Sequence, residues 1–220
     1  MGPCVVIPAF NAERTIVRVV TEVAALGFRV LVVDDGSTDH TAALVADLPV
    51  NLVSHGRNQG KGAALKTGFG WVLEQGCEGV VSVDADGQHE VSAIPLLVTA
   101  AEREGVAILI ASRYAQFQQM AGLRRHWNRF GAWCIKKRTG FNIDDSQSGF
   151  RYYSADLLRS LHLEKNGYDL EMEVLVKAWR AGLRIDSIPV AARVADGRAT
   201  SHFRPVRDTW NICMTFLRYM

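Results

Sequence analysis

Two aspartates two residues apart, Asp84 and Asp86, close an apolar run in VSVDADGQHE, residues 81–90. Such a pair is open to three uses: holding a hard cation, transferring protons, or capping the helix that follows. A cap accounts for one aspartate and leaves the other. A calcium loop of the EF-hand type needs glycine at its sixth position and glutamate at its twelfth, and counting from Asp84 gives Gly87 fourth and Pro95 twelfth. Glycoside hydrolysis sets two carboxyl groups about 5 Å or more apart, flanking a sugar, which an i, i+2 pair on one short turn does not do. The remaining fit is Mg2+ or Mn2+ bridging one or two carboxylates and the oxygens of a substrate phosphate.

A second acidic segment, VVDDGSTD, carries Asp34 and Asp35. Gly36 suits a turn and Ser37 or Thr38 a helix start, which leaves both carboxylates for a ribose hydroxyl or a base N–H. HGRNQGKGAALKTG then leads glycines and Lys61 into a helix whose N-terminus attracts anions. It matches neither GxxxxGK[ST] nor GxGxxG.

These groups need a scaffold that brings them together. CVVIPAF followed by helical spacing over 12–26, RVLVVDD by 38–47, VNLVSH by 60–75, GVVSVDA by 91–104, and then VAILIAS predict a βα repeat. Near-continuous apolar strands of this kind belong to a parallel sheet covered on both faces. Ligands of such sheets bind beyond the carboxyl ends of the strands, where Pro8, Phe10, Asp34, Asp35, Asp84, Asp86 and Arg113 stand. After residue 114 the pattern changes to a basic helical segment over 115–140, a short strand in GFRYYSA, a helix over 170–181 and a strand in LRIDSIPVAARV. FRPVRDTWNICMTFLRYM reads as an amphipathic helix whose Trp210, Met214, Phe216 and Leu217 serve the core or a lipid surface, packing being the expectation.

The 220 residues, 48% hydrophobic and 22% charged with net charge +2, suit one globular domain and give no general attraction to nucleic acid. Arg124, Arg125, Arg129, Lys136, Lys137 and Arg138 cluster without an acid, as a solvated helix face or a site for phosphate or anionic lipid. Cys4, Cys77, Cys134 and Cys213 show no CxxC spacing, so the expectation is unpaired core thiols in a reducing compartment. No apolar run approaches the roughly 18 residues of a membrane span, and no leader pattern opens the chain. A cytoplasmic protein, soluble or at most peripheral on the inner face of the membrane, is expected.

Taken together, VVIPAFNAE, VVDDGSTD, NQGKGAALKTGF and VDADGQHE, followed by ASRY, DSQSGFR and GYDLEMEVLVKA, resemble the family-2 glycosyltransferases. The likeness is to the dolichyl-phosphate mannosyltransferase-like branch, which loads a sugar onto a polyprenyl phosphate, and it covers residues 3–203. It implies an α/β, single-domain, Rossmann-like glycosyltransferase type A fold with a mostly parallel central sheet and helices on both faces. It also implies an inverting enzyme dependent on Mg2+ or Mn2+. The hexose would pass from a nucleotide diphosphate-sugar, GDP-mannose or a UDP-sugar, to a polyprenyl phosphate at a membrane surface. Residues 1–114 would then be the nucleotide-sugar half, 115–203 the acceptor half and 204–220 a C-terminal amphipathic helix.

Carried over residue by residue, Pro8, Phe10 and Glu13 would line the nucleotide pocket. Asp35 would bond the base with Asp34 beside it, and Lys61 would close on the nucleotide. Asp84, Asp86 and Gln88 would form the metal set, with Asp86 at the centre of catalysis, and Arg113 would face phosphate. Arg124, Arg125, Arg151 and Arg198, with Ser201, are the candidates for the acceptor phosphate. Where the branch commonly has Gly-Glu-Ser-Lys, this chain has RATSHF, so His202 stands in place of lysine. A hydroxyl acceptor would need a base, and Asp145 is the candidate. The alternatives are the same donor chemistry with a saccharide or other soluble acceptor, or an inactive nucleotide-binding module.

Overall fold

The computed structural model describes residues 2–113, 136–137, 140, 143, 145, 148–191 and 204–220. Its strands are β1 (Cys4–Ala9), β2 (Val30–Asp34), β3 (Asn51–Ser54), β4 (Gly79–Ser82), β5 (Ile108–Ser112), β6 (Arg151–Ser154) and β7 (Ile185–Pro189). They form one sheet in the order β3-β2-β1-β4-β6-β5-β7. The helices are α1 (Ile16–Ala24), α2 (Thr41–Ala46), α3 (Lys61–Glu74), α4 (Ile94–Glu104), α5 (Ala155–Ser160), α6 (Leu170–Arg180) and α7 (Pro205–Tyr219).

Side chains alternate across a strand, so β1 feeds two cores. Val6, Leu31, Val33 and Val80 meet Leu65, Phe69 and Val72 of α3 and the apolar face of α6 on one side of the sheet. Val5, Ile7, Val32 and Val81 meet Ile16, Val19 and Val23 of α1 and Ile94 and Leu97 of α4 on the other. The first four strands in the order run parallel, and the order reverses between β1 and β4. That reversal is where such sheets open a crevice for ligands. β6 runs antiparallel to both β4 and β5, while β5 and β7 are parallel.

Helix α3 lies close on the sheet because Gly68 faces Val6: a Cβ at this position would collide with the Val6 Cγ1 methyl. Overpacking of this kind costs about 1–3 kcal/mol. That outweighs the roughly 1 kcal/mol that alanine gains over glycine inside a helix. Gly68→Ala is therefore expected to unfold at lower urea than the wild type; an equal or higher midpoint would contradict the close approach.

Cysteine pairing differs from expectation. Cys4 and Cys77 form a disulfide, with Cα atoms 6.2 Å apart. The β1–β4 pairing sets Cys4 opposite Val80, and Cys77 lies two residues before β4, so residues 73 positions apart in sequence become neighbours. The expectation of unpaired thiols fails for Cys4 and Cys77, which removes their support for a reducing compartment, while Cys134 lies outside the described residues. Cys213 is exposed.

The segment before α6 is pinned by Glu173, whose side chain has no exposure. Its carboxylate accepts from Glu164 N at 2.9 Å, Lys165 N at 2.8 Å and Lys177 Nζ at 2.6 Å. Burial raises its pKa, but the Lys177 ammonium and the two amides outweigh that and leave it below the ordinary glutamate value. A carboxylate lowered in the fold contributes stability that is present above the unfolded value, about 4.3, and is lost as pH falls through the folded one. Wild-type stability should therefore drop below pH about 4 more steeply than that of Glu173→Gln, as measured by urea midpoints across pH. Equal slopes would contradict the assignment.

Helix α7 packs Ile212, Phe216 and Tyr219 against the core, and the buried Thr215 hydroxyl donates to Asp169 Oδ2 at 3.0 Å. Of the four residues set between core and lipid by the sequence, Phe216 packs, while Trp210, Met214 and Leu217 are 66%, 45% and 67% exposed. Among the described residues no helix is long and apolar enough to cross a membrane.

Candidate active site at the carboxyl edge of the sheet

A cleft of about 420 Å³ opens where the strand order reverses, with Pro8 near the end of β1 and Phe10 just after it, Asp84 and Asp86 following β4, Lys61 opening α3 and Tyr168 preceding α6. Arg204, Arg207 and Asp208, around the start of α7, close its rim. Lys61 is the electrostatic centre. Its Nζ lies 2.6 Å from Asp84 Oδ1, 3.2 Å from Glu171 Oε1 and 5.6 Å from the centroid of the Tyr168 ring. Burial disfavours the ammonium, yet the Asp84 and Glu171 carboxylates hold its pKa above the ordinary lysine value.

The two aspartates of the opening motif differ. Burial opposes ionisation of Asp84, but the Lys61 charge and the His89 ring, 3.4 Å away, hold its carboxyl far below the usual range. Asp86 goes the other way: burial and then the Asp84 charge raise its pKa. Its Oδ1 accepts from Gln88 N at 3.0 Å, a turn contact rather than a helix cap. Two carboxylates of which one is made costly by the other form a natural seat for a cation. Among the described residues no three His, Cys, Asp or Glu side chains gather around one point. Asp84 and Asp86, two hard-oxygen donors in one cleft, fit a cation that takes its remaining oxygens from substrate phosphates. Gly149 makes the arrangement possible, because a Cβ there would collide with Asp84 Oδ2.

The profile of glycosyl transferase family 2 matches residues 4–164. The chain belongs to that family. It is 31% identical over 172 residues to the undecaprenyl-phosphate mannosyltransferase of Micrococcus luteus, covering 73% of this chain and 70% of that one. It is 28% identical to the polyprenol monophosphomannose synthase of Mycolicibacterium smegmatis, with 84% of this chain and 75% of that one covered. Glucosyl-3-phosphoglycerate synthase from Mycobacterium tuberculosis, solved with UDP, superposes with a TM-score of 0.80 at 23% identity over 99% of this chain and 79% of that one. The same synthase has been solved with Mn2+ and UDP. The fold is thus the glycosyltransferase type A fold, and the enzyme is a nucleotide-sugar glycosyltransferase.

Several site residues of this family-2 enzyme stand where the sequence put them, and others do not. Pro8, Phe10, Asp35, Lys61, Asp84 and Asp86 line the cleft. Asp35 is buried and accepts from His55 Nδ1 at 2.7 Å, Gln59 N at 3.0 Å and Gly60 N at 2.7 Å, so it braces the turn that presents Lys61. Asp34 is outside the lining. Its carboxylate accepts from Ser37 N at 3.3 Å, a turn contact. Glu13 is also outside the lining; it pairs with His40 Nδ1 at 3.1 Å, which holds its carboxyl below the ordinary range. Gln88 gives its backbone N–H to Asp86, and its side chain is not among the lining groups.

Arg151 is corrected. It is wholly buried in β6 and donates to the carbonyls of Ser148 at 2.6 Å and Glu171 at 3.1 Å, so no surface is left for an acceptor phosphate. A strand flanked by β4 and β5 and covered on both faces leaves no exposed side. Asp145 is corrected in the same way: it has no exposure and accepts from Arg113 Nε at 3.0 Å, so it holds Arg113 rather than reaching a substrate hydroxyl. Burial disfavours the Arg113 charge, but Asp145, with Asp84 and Asp86 further off, raises its pKa. Arg124, Arg125, Arg198, Ser201 and His202 lie outside the described residues. The sequence reading missed Glu171, Tyr168, Arg204 and Arg207; the first two lie in GYDLEMEVLVKA, a segment noted for its likeness without a role for either residue.

Proposed function

We propose that this enzyme moves a hexose from a nucleotide diphosphate-sugar to a polyprenyl phosphate, using Mg2+ or Mn2+. The observation that carries the reading is the Asp84–Asp86 pair in a cleft that also presents Lys61, Arg204 and Arg207. Asp84 and Asp86 would hold the cation, which when bound neutralises charge on the departing nucleoside diphosphate. Pro8 and Phe10 would wall the nucleotide, and Lys61 would offer its ammonium to the diphosphate.

A polyprenyl phosphate oxygen forms the new bond to the anomeric carbon while the bond to the diphosphate oxygen breaks, its electron pair leaving with the nucleoside diphosphate. Attack opposite the leaving group inverts the centre. The acceptor phosphate is already ionised at neutral pH, so no proton has to be removed. Arg113, Arg204 and Arg207 would position it as fork-shaped donors. The named mannosyl relatives support the phosphate acceptor. Against a hydroxyl acceptor stands the burial of Asp145, the candidate base, on Arg113.

A thermal-shift panel of GDP, UDP, CDP and dTDP, each with and without Mn2+, tests the donor site, because a ligand of the native state raises its melting temperature. One base is expected to stabilise the protein only with the metal present. No shift with any of them would overturn the donor reading.

A further inference from the structure

Among the described residues five large apolar side chains are exposed, and three of them, Trp210, Met214 and Leu217, are on α7. Their spacing of four and then three residues aligns them in one stripe, away from the Ile212, Thr215 and Tyr219 face that packs on the core. Arg207 and Arg218, both exposed, flank the stripe. Residues 204–220 hold three arginines against a single acid, Asp208. From outside the helix, Glu164 lies 3.9 Å from the Arg218 guanidinium and accepts from the Tyr219 hydroxyl, and Asp169 accepts from Thr215 on the packed face.

We propose that α7 lies in the headgroup region of an anionic lipid bilayer, with Trp210, Met214 and Leu217 inserted and Arg207 and Arg218 on lipid phosphates. A helix with an apolar stripe, a tryptophan and a basic flank is built to lie in a membrane interface. A second copy of the chain suits the face less well, because two-fold pairing of the stripes would bring the arginine rows together. The start of α7 is also the rim of the cleft, through Arg204, Arg207 and Asp208. A bilayer against the stripe therefore sets headgroup phosphates at the cleft mouth. The purpose of this docking rests on the polyprenyl-phosphate reading; its test does not.

The purified full chain is pelleted with vesicles of phosphatidylcholine alone and with vesicles of phosphatidylcholine and phosphatidylglycerol. Binding to the anionic vesicles is expected, falling with salt and weakened at least about tenfold in the Trp210→Gln/Met214→Gln/Leu217→Gln variant. The variant should keep the wild-type nucleotide-dependent melting shift. Should it melt below the wild type, Trp210→Ser alone carries the same comparison. Wild-type protein that stays in the supernatant, or a variant that binds equally, overturns the proposal. So does light scattering that finds a wild-type dimer made monomeric by the triple change, which assigns the face to a second copy. Vesicle binding without any nucleotide-dependent shift would leave the docking intact and sink the proposed function instead.

Discussion

Asp86→Asn is expected to lower sugar transfer about a thousand-fold while its melting temperature equals or exceeds that of the wild type. The two halves of this expectation have one cause. Asp86 is ionised at a cost, since burial and the Asp84 charge both raise its pKa. A neutral side chain of the same shape removes that repulsion and keeps the contact from Gln88 N to the side-chain oxygen, 3.0 Å in the wild type. The groups that make a site costly to fold are often those that make it work. Initial rates at saturating donor and a thermal melt check both halves. Transfer within tenfold of wild type would remove Asp86 from the chemistry, and a large loss of melting temperature would make it a structural residue.

Lys61→Met is expected to act in the opposite direction on stability. Its ammonium answers both Asp84, at 2.6 Å, and Glu171, at 3.2 Å. Removing one partner of a buried ionic cluster typically costs about 3–5 kcal/mol, because the remaining charges stay buried without compensation. Millimolar Mn2+ without nucleotide should restore more melting temperature to this variant than it adds to the wild type, since Asp84 no longer has an ammonium at its oxygen. Adding Glu171→Gln should recover a further part of the loss. A variant as stable as wild type, or one indifferent to Mn2+, would contradict the role of Lys61 as the charge that balances Asp84.

What the sequence made legible follows from what periodicity and adjacency can carry. The ends of β1, β2 and β4 were readable because apolar runs stop abruptly at prolines or acids, and the parallel order then gathers those ends at one edge. Adjacent aspartates were harder. Successive side chains at a strand end point to opposite sides, so Asp35 reaches the turn beneath Lys61 while Asp34 turns back to Ser37. Glu171 was hidden because α6 is buried on more than one face, so its glutamates resemble an exposed polar stripe while both are buried. Its partner, Lys61, is 110 residues away. Arg151, a candidate for the acceptor phosphate, misled for a related reason: nothing within GFRYYSA tells that β6 lies between β4 and β5. The Cys4–Cys77 pairing likewise depended on the strand order.

The most direct measurement is mass spectrometry of a short-chain, water-soluble polyprenyl phosphate after incubation with the full chain, Mn2+ and GDP-mannose or UDP-sugars in turn. The proposed chemistry predicts one donor whose hexose appears on the acceptor phosphate, with loss of product in Asp86→Asn. Hydrolysis of the donor alone, or a hexose found only on a soluble hydroxyl acceptor supplied alongside, would contradict it.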